Sequence, residues 1–216
     1  MEASSTTWWL LPIILASAIL HIQAEYAGAR KRVYIFKPLT TSLIILLALL
    51  IQPPVSTLYK PLIVAGLVFS LAGDVFLMLP NDRFLYGLIS FLVGHLAYTA
   101  AFVSIGGFRS DFLALGIYAM YGLIVLYLLW TGLGTLKAPV IVYVVVILGM
   151  GWQALAVWRA NPSAGTLSAA VGAASFVLSD SVLALDRFRG GFSSARAIVL
   201  GSYFLAQVLI ALSIVG

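Results

Sequence analysis

The chain is a succession of apolar stretches, each of roughly the 20 residues a helix needs to cross a hydrocarbon layer, and nothing else limits its fold so strongly. Eight such segments are read, at 7–27, 33–51, 59–79, 84–105, 111–130, 138–158, 165–186 and 195–215. Turn-forming clusters separate them: Gln52-Pro53-Pro54, Pro80-Asn81-Asp82-Arg83 and Asn161-Pro162. Only helices and closed barrels satisfy every backbone polar group in lipid, and apolar runs that do not alternate predict helices. Of the 216 residues 62% are hydrophobic and 9% charged, with a mean hydropathy of +1.11. A soluble domain carries about 25% charged residues and has no core large enough to hide so much apolar surface. The expectation is one all-α domain over residues 1–216, a polytopic membrane helix bundle of about eight transmembrane helices. Its short loops make sequence neighbours antiparallel.

The basic residues predict an orientation. Arg30, Lys31, Arg32, Lys37, Arg83, Lys137, Arg187, Arg189 and Arg196 fall at one set of helix ends, and only Lys60, Arg109 and Arg159 at the other. That bias places the first set in the cytoplasm and both termini on the opposite side. It also accounts for the net charge of +5 without nucleic acid as a partner. The first apolar run lacks a basic stretch before it, so it reads as a helix and not a removable signal peptide. Cysteine is absent, which excludes disulfides and thiolate metal sites.

Two acids stand out because they fall inside spans. Asp74 and Asp180 each lie about five residues before the cytoplasmic end of their segment, roughly 8 Å in at 1.5 Å per residue. Aspartate is too short to reach the interface from there, and an unpaired carboxylate at that depth costs several kcal/mol. A carboxyl bonded to a neighbouring helix for packing alone is the plain alternative to a functional role. The two surroundings echo one another: Gly73-Asp74-Val75 with Asp82-Arg83-Phe84, and Ser179-Asp180-Ser181 with Asp186-Arg187-Phe188. Four segments separate the copies, which suggests a 4+4 internal repeat about an axis along the membrane normal. Gly66, Ser70 and Asp74, and likewise Gly165, Ala169 and Ala173, form small-residue stripes. These are expected to bring the third and seventh helices together as neighbours.

Few other polar groups are embedded. His95 and Tyr98 are three apart, Tyr203 and Gln207 four apart, and Tyr143 lies near the cytoplasmic end of its helix. Singly each could be a satisfied core residue; together they suggest a polar chamber. Lys37, before Pro38, reads either as a snorkelling anchor or as a counter-charge or phosphate contact on the side of the aspartates. His21 and Glu25 read as an interfacial pair. With two histidines and no His-Glu-x-x-His, a histidine-built zinc site is not expected, nor is any Gly-x-Ser-x-Gly or Walker sequence present.

In order along the chain come Lys37-Pro38-Leu39-Thr40-Thr41, Gly66 to Asp74, Gly94-His95-Leu96-Ala97-Tyr98 with Phe102, Gly172 to Ser181, and Tyr203-Phe204-Leu205-Ala206-Gln207. This ordered set resembles the YhhN-type lysoplasmalogenases, a family of eight-helix membrane hydrolases. The resemblance implies cleavage of the vinyl-ether bond of a lysoplasmalogen to a fatty aldehyde and a glycerophospho-choline or -ethanolamine. It implies that the catalytic aspartates are Asp74 and Asp180; the embedded polar residues Lys37, His95, Tyr98, Tyr143, Ser179, Tyr203 and Gln207 are the candidates for binding substrate around them. The partners are then a lysophospholipid and membrane lipids, with no cofactor or metal, in a bacterial inner membrane or the endoplasmic reticulum. Two carboxyls suit that chemistry, one protonated to donate to carbon and the other ionised to stabilise the oxocarbenium ion and orient water. Which is which is open in the sequence.

Two other classes use buried acids. A proton-coupled transporter or lipid-binding membrane protein is the main alternative, and Gly- or Pro-broken helices would favour it. An intramembrane aspartyl protease would need Gly-x-Gly-Asp, but position 71 is Leu, and no Pro-Ala-Leu follows.

Overall fold

The computed structural model describes residues 8–216; Glu2 and the expected helix start at Thr7 lie outside them. Eight helices and no strands make up the described residues: α1 (Leu10–Tyr26), α2 (Arg30–Leu50), α3 (Tyr59–Met78), α4 (Phe84–Gly106), α5 (Phe112–Leu129), α6 (Lys137–Ala160), α7 (Ala164–Arg189) and α8 (Ala195–Leu212). Seven are long and apolar enough to cross a membrane. The exception is α1, whose 17 residues sit at the lower limit of a span. The helix ends follow local chemistry. Asp111 caps α5 by accepting the Ala114 N–H at 3.0 Å, and Ser163 with Thr166 forms a capping box on α7. Gly107 and Gly190 end α4 and α7 with φ of 69° and 102°, where a side chain would be strained. α7 continues to Arg189, past the expected limit at 186.

The closest packing is within two hairpins, α3 with α4 and α7 with α8. Glycine makes the first possible. A Cβ on Gly66 would fall on the Tyr98 ring, one on Gly73 would lie 2.6 Å from Phe91, and one on Gly94 would meet the Gly66 carbonyl at 3.1 Å. On α7, Gly172 does the same against Ile210 and the Ala206 carbonyl of α8. The small residues therefore join each aspartate helix to its own hairpin partner. α3 and α7 do not pack side by side, contrary to the expectation, because their small faces are taken by α4 and α8. Six helices close a ring in the order α2, α3, α4, α6, α7, α8 and back to α2, while α1 lies outside on α2 and α8, and α5 outside on α6 and α7.

Several pairings recur between the two halves of the chain: α1–α2 with α5–α6, α2–α3 with α6–α7, α3–α4 with α7–α8. Others, α3–α8 and α5–α7, have no counterpart, so the packing does not establish the duplication. The basic residues do gather as expected. Tyr26 donates to the Ser193 carbonyl, Arg187 to Asp82 and Arg189 to Thr131, joining three pairs of loops at one end. Arg159 with Asp111, and Gln153 with the Arg109 backbone, lie at the other.

Candidate active site

Inside the ring, Asp74 of α3 and Asp180 of α7 line one cavity of about 470 Å³, and each carboxyl has its own set of partners. Asp74 is buried and fully engaged. Thr41 and Tyr203 each donate to Oδ2 at 2.7 Å, and the Lys37 ammonium stands 3.4 Å from Oδ1. A second layer holds the first: Gln207 donates to the Tyr203 oxygen at 3.1 Å, and Tyr98 donates to Gln207 Oε1 at 2.7 Å. Three helices, α2, α3 and α8, thus converge on one carboxyl, with α4 behind them. An ammonium and two hydroxyl donors are the surroundings of a carboxylate anion, and they offset the cost of burying it.

Asp180 is arranged differently. Its Oδ2 accepts from the Tyr143 hydroxyl, and His95 Nε2 lies 2.9 Å from the Tyr143 oxygen and 3.5 Å from Oδ2. The one Tyr143 hydrogen is committed to Asp180, so His95 presents its N–H at Nε2 to that oxygen. His95 Nδ1 has no hydrogen-bond partner among the described residues. Among the described residues no Lys or Arg is within ion-pair distance of Asp180, and its Oδ1 makes no hydrogen bond. The Asp180 side chain keeps 15% of its surface exposed, against 2% for Asp74.

Phe176 separates the two networks. Its ring meets His95 edge-on at 4.6 Å and Tyr203 at 5.4 Å, and Phe91 at 6.1 Å completes the apolar partition. Thr41 and Phe176 fall within the stretches that carry the resemblance, but neither was singled out as a site residue. The part each takes shows only once its neighbours are known.

The expected site residues separate into two groups. Lys37, Ser179 and Tyr203 line the cavity with the aspartates, and Tyr143 lines an adjoining one beside Asp180. His95, Tyr98 and Gln207 are wholly buried and line neither cavity, and each is hydrogen-bonded to another side chain of the site. Ser179 spends its hydroxyl on the Val199 carbonyl at 3.0 Å, tying α7 to α8. Lys37 is a counter-charge. The mouth of the cavity carries Glu25, Asp186, Arg187 and Arg196. His21 and Glu25 are 3.9 Å apart, beside that mouth.

Comparison with known proteins agrees with this architecture. The YhhN family model matches residues 33–214. The uncharacterized membrane protein YhhN of Escherichia coli O157:H7 is 32% identical over 206 residues, covering 95% of this chain and 98% of that one. Lysoplasmalogenase TMEM86A of Bos taurus is 37% identical over 163 residues, 71% of this chain and 65% of its own. Lysoplasmalogenase TMEM86B of Mus musculus is 31% identical over 211 residues, 95% and 85%. No solved structure matches. The chain belongs to the YhhN family.

Proposed function

We propose that this YhhN-family membrane protein is a lysoplasmalogenase, a hydrolase that cleaves the vinyl ether of a single-chain glycerophospholipid with Asp180 as proton donor and Asp74 as anion. One observation carries the proposal: a buried and a part-buried carboxyl of unlike surroundings open on one cavity, Asp74 held by a cation and two hydroxyls, Asp180 by a single hydroxyl at Oδ2. The names of the mammalian relatives supply the substrate class.

The chemistry runs as follows. Asp180, protonated at the free Oδ1, gives its proton to the β-carbon of the vinyl ether, and the carbon–carbon π electrons form the new C–H bond. The α-carbon becomes an oxocarbenium ion beside the Asp74 carboxylate. Water adds to that carbon and passes a proton to Asp74, giving a hemiacetal. The C–O bond to glycerol then breaks: Asp74 returns its proton to the leaving oxygen, and Asp180 takes the hemiacetal hydroxyl proton. Aldehyde and glycerophospho alcohol leave, and both acids are back in their starting states. Tyr143 with His95 fixes which Asp180 oxygen faces the substrate, and Lys37 holds Asp74 as the anion that first meets the oxocarbenium ion. Arg196 and Arg187 at the mouth suit the phosphate.

A transporter would favour broken helices near its site, whereas α3 and α7 run unbroken through both aspartates. The basic end of the bundle is proposed to face the cytoplasm. The decisive experiment gives the purified protein a lysoplasmalogen and its saturated ether analogue. Aldehyde from the vinyl ether alone supports the proposal; no aldehyde from the vinyl ether rejects it.

A further inference from the structure

A second, apolar cavity adjoins the first. It is a narrow slot of about 60 Å³ among α4, α5, α6 and α7, walled by Leu88, Val125, Val144, Ile147, Leu148 and Val177. The two cavities share Leu77, Phe84, Phe91, Asp180 and Leu183 in their walls, so they lie side by side. Their characters are opposite. The larger carries Glu25, Lys37, Asp74, Asp186, Arg187 and Arg196, while Asp180 is the one charged side chain on the slot. Asp180 therefore stands where a polar chamber becomes an apolar one. The slot is not closed off from the lipid: α5 packs on α6 and α7 but not along α4.

We propose, resting on the hydrolase reading above, that this slot holds the first carbons of the alkenyl chain and so decides which atom meets Asp180. A lysolipid changes from polar to apolar at its ether linkage. With the glycerophospho part in the charged chamber and the chain in the slot, the vinyl carbons fall at the junction. The β-carbon lies on the chain side, next to Asp180, and the α-carbon on the chamber side, towards Asp74. The slot is too narrow for a whole chain, so the remainder passes between α4 and α5 into the bilayer. Specificity then rests on the few carbons beside the ether and hardly on total chain length.

The test uses a saturated-ether lysolipid, which is not cleaved, carrying a photoreactive diazirine on the carbons next to the ether. After irradiation of the full-length protein in vesicles, adducts are mapped by mass spectrometry. Adducts on Val125, Val144 or Leu148 that an excess of unlabelled analogue suppresses are the expected result. Adducts confined to Val199 and Leu200 on the chamber wall, or none that competitor suppresses, overturn the slot. In parallel, Val144→Trp fills the slot from its α6 wall. It is expected to raise KM for lysoplasmalogen about fourfold to fifteenfold by denying contact to one or two methylenes, with Val145→Trp on the exposed face of the same helix near wild type and both variants melting like the parent. An unchanged KM in a folded Val144→Trp also overturns the slot. Because cross-linking needs no turnover, slot adducts without aldehyde release reject the hydrolase reading alone, and aldehyde release with adducts elsewhere rejects the slot alone.

Discussion

The ammonium of Lys37 stands 3.4 Å from Oδ1 of Asp74, with 12% of the Lys37 side chain exposed and 2% of the Asp74 side chain. Lys37 lies one residue before Pro38 in α2, close to the membrane end that its charge would otherwise seek. It turns inward to a carboxyl on the next helix. This changes what its removal should do. A phosphate contact made equally in ground and transition states would affect mainly KM, whereas a partner of the reacting anion acts on the transition state. Lys37→Met is therefore expected to lower kcat by roughly tenfold to a hundredfold, the worth of a charge-assisted contact, and to leave KM nearly unchanged. A rise in KM at constant kcat would return Lys37 to the head group.

Asp74→Asn and Asp180→Asn should each reduce vinyl-ether cleavage to background while the protein stays folded and inserted. The amide matches the carboxyl in shape but neither donates that proton nor carries the charge. Activity above about a tenth of wild type in either variant, set against the 10²- to 10⁴-fold typical of acid–base groups, would remove that aspartate from the chemistry.

Tyr143→Phe keeps the ring that packs on His95 at 5.4 Å but removes the donor to Asp180. Without it Oδ1 and Oδ2 become interchangeable, so kcat should fall roughly tenfold to a hundredfold. Gln207→Leu acts one bond further back, through Tyr203, and should cost less. Equal losses in the two variants would argue against a proton donor at Asp180.

Gly66→Ala places a methyl on the Tyr98 ring, at the base of the chain that runs through Gln207 and Tyr203 to Asp74. Overpacking of this kind costs about 1–3 kcal/mol, so both the unfolding temperature in detergent and kcat should drop. Gly116→Ala on α5, where no atom lies within 4 Å, should change neither. Loss of stability in both variants would mean that helix glycines matter here for reasons other than contact.

Orientation can be read directly, because the chain has no cysteine of its own. Single cysteines at Ser193, in the loop of the basic end, and at Ser110, at the opposite end, are both exposed. A membrane-impermeant maleimide applied to intact cells should label Ser110→Cys and spare Ser193→Cys until the cells are opened. The reverse pattern would invert the bundle and put the cavity mouth outside.

The sequence alone determined what a lipid solvent imposes on each helix separately. Backbone groups in hydrocarbon have no partner but their own helix, so the run of α2 to α8 could be read from span length and punctuation, and the acids Asp74 and Asp180 from their depth. Only the tertiary structure decided who meets whom. Outward-facing side chains such as Leu123, Val145 and Ile117 differ little in hydropathy from inward ones such as Ile44 and Leu67, so the rotation of a helix leaves almost no trace in composition. It is set by interlocks such as Gly66 on Tyr98 and Gly172 on Ile210, where small residues let two backbones approach. Those interlocks gave the small-residue faces of α3 and α7 to α4 and α8 and left the aspartates facing across a cavity. They also brought Thr41 to Asp74 from 33 residues away, and Tyr143 to Asp180 from 37. The unlike surroundings of the two acids, and the apolar slot that begins at Asp180, exist only once those helices have closed into a ring.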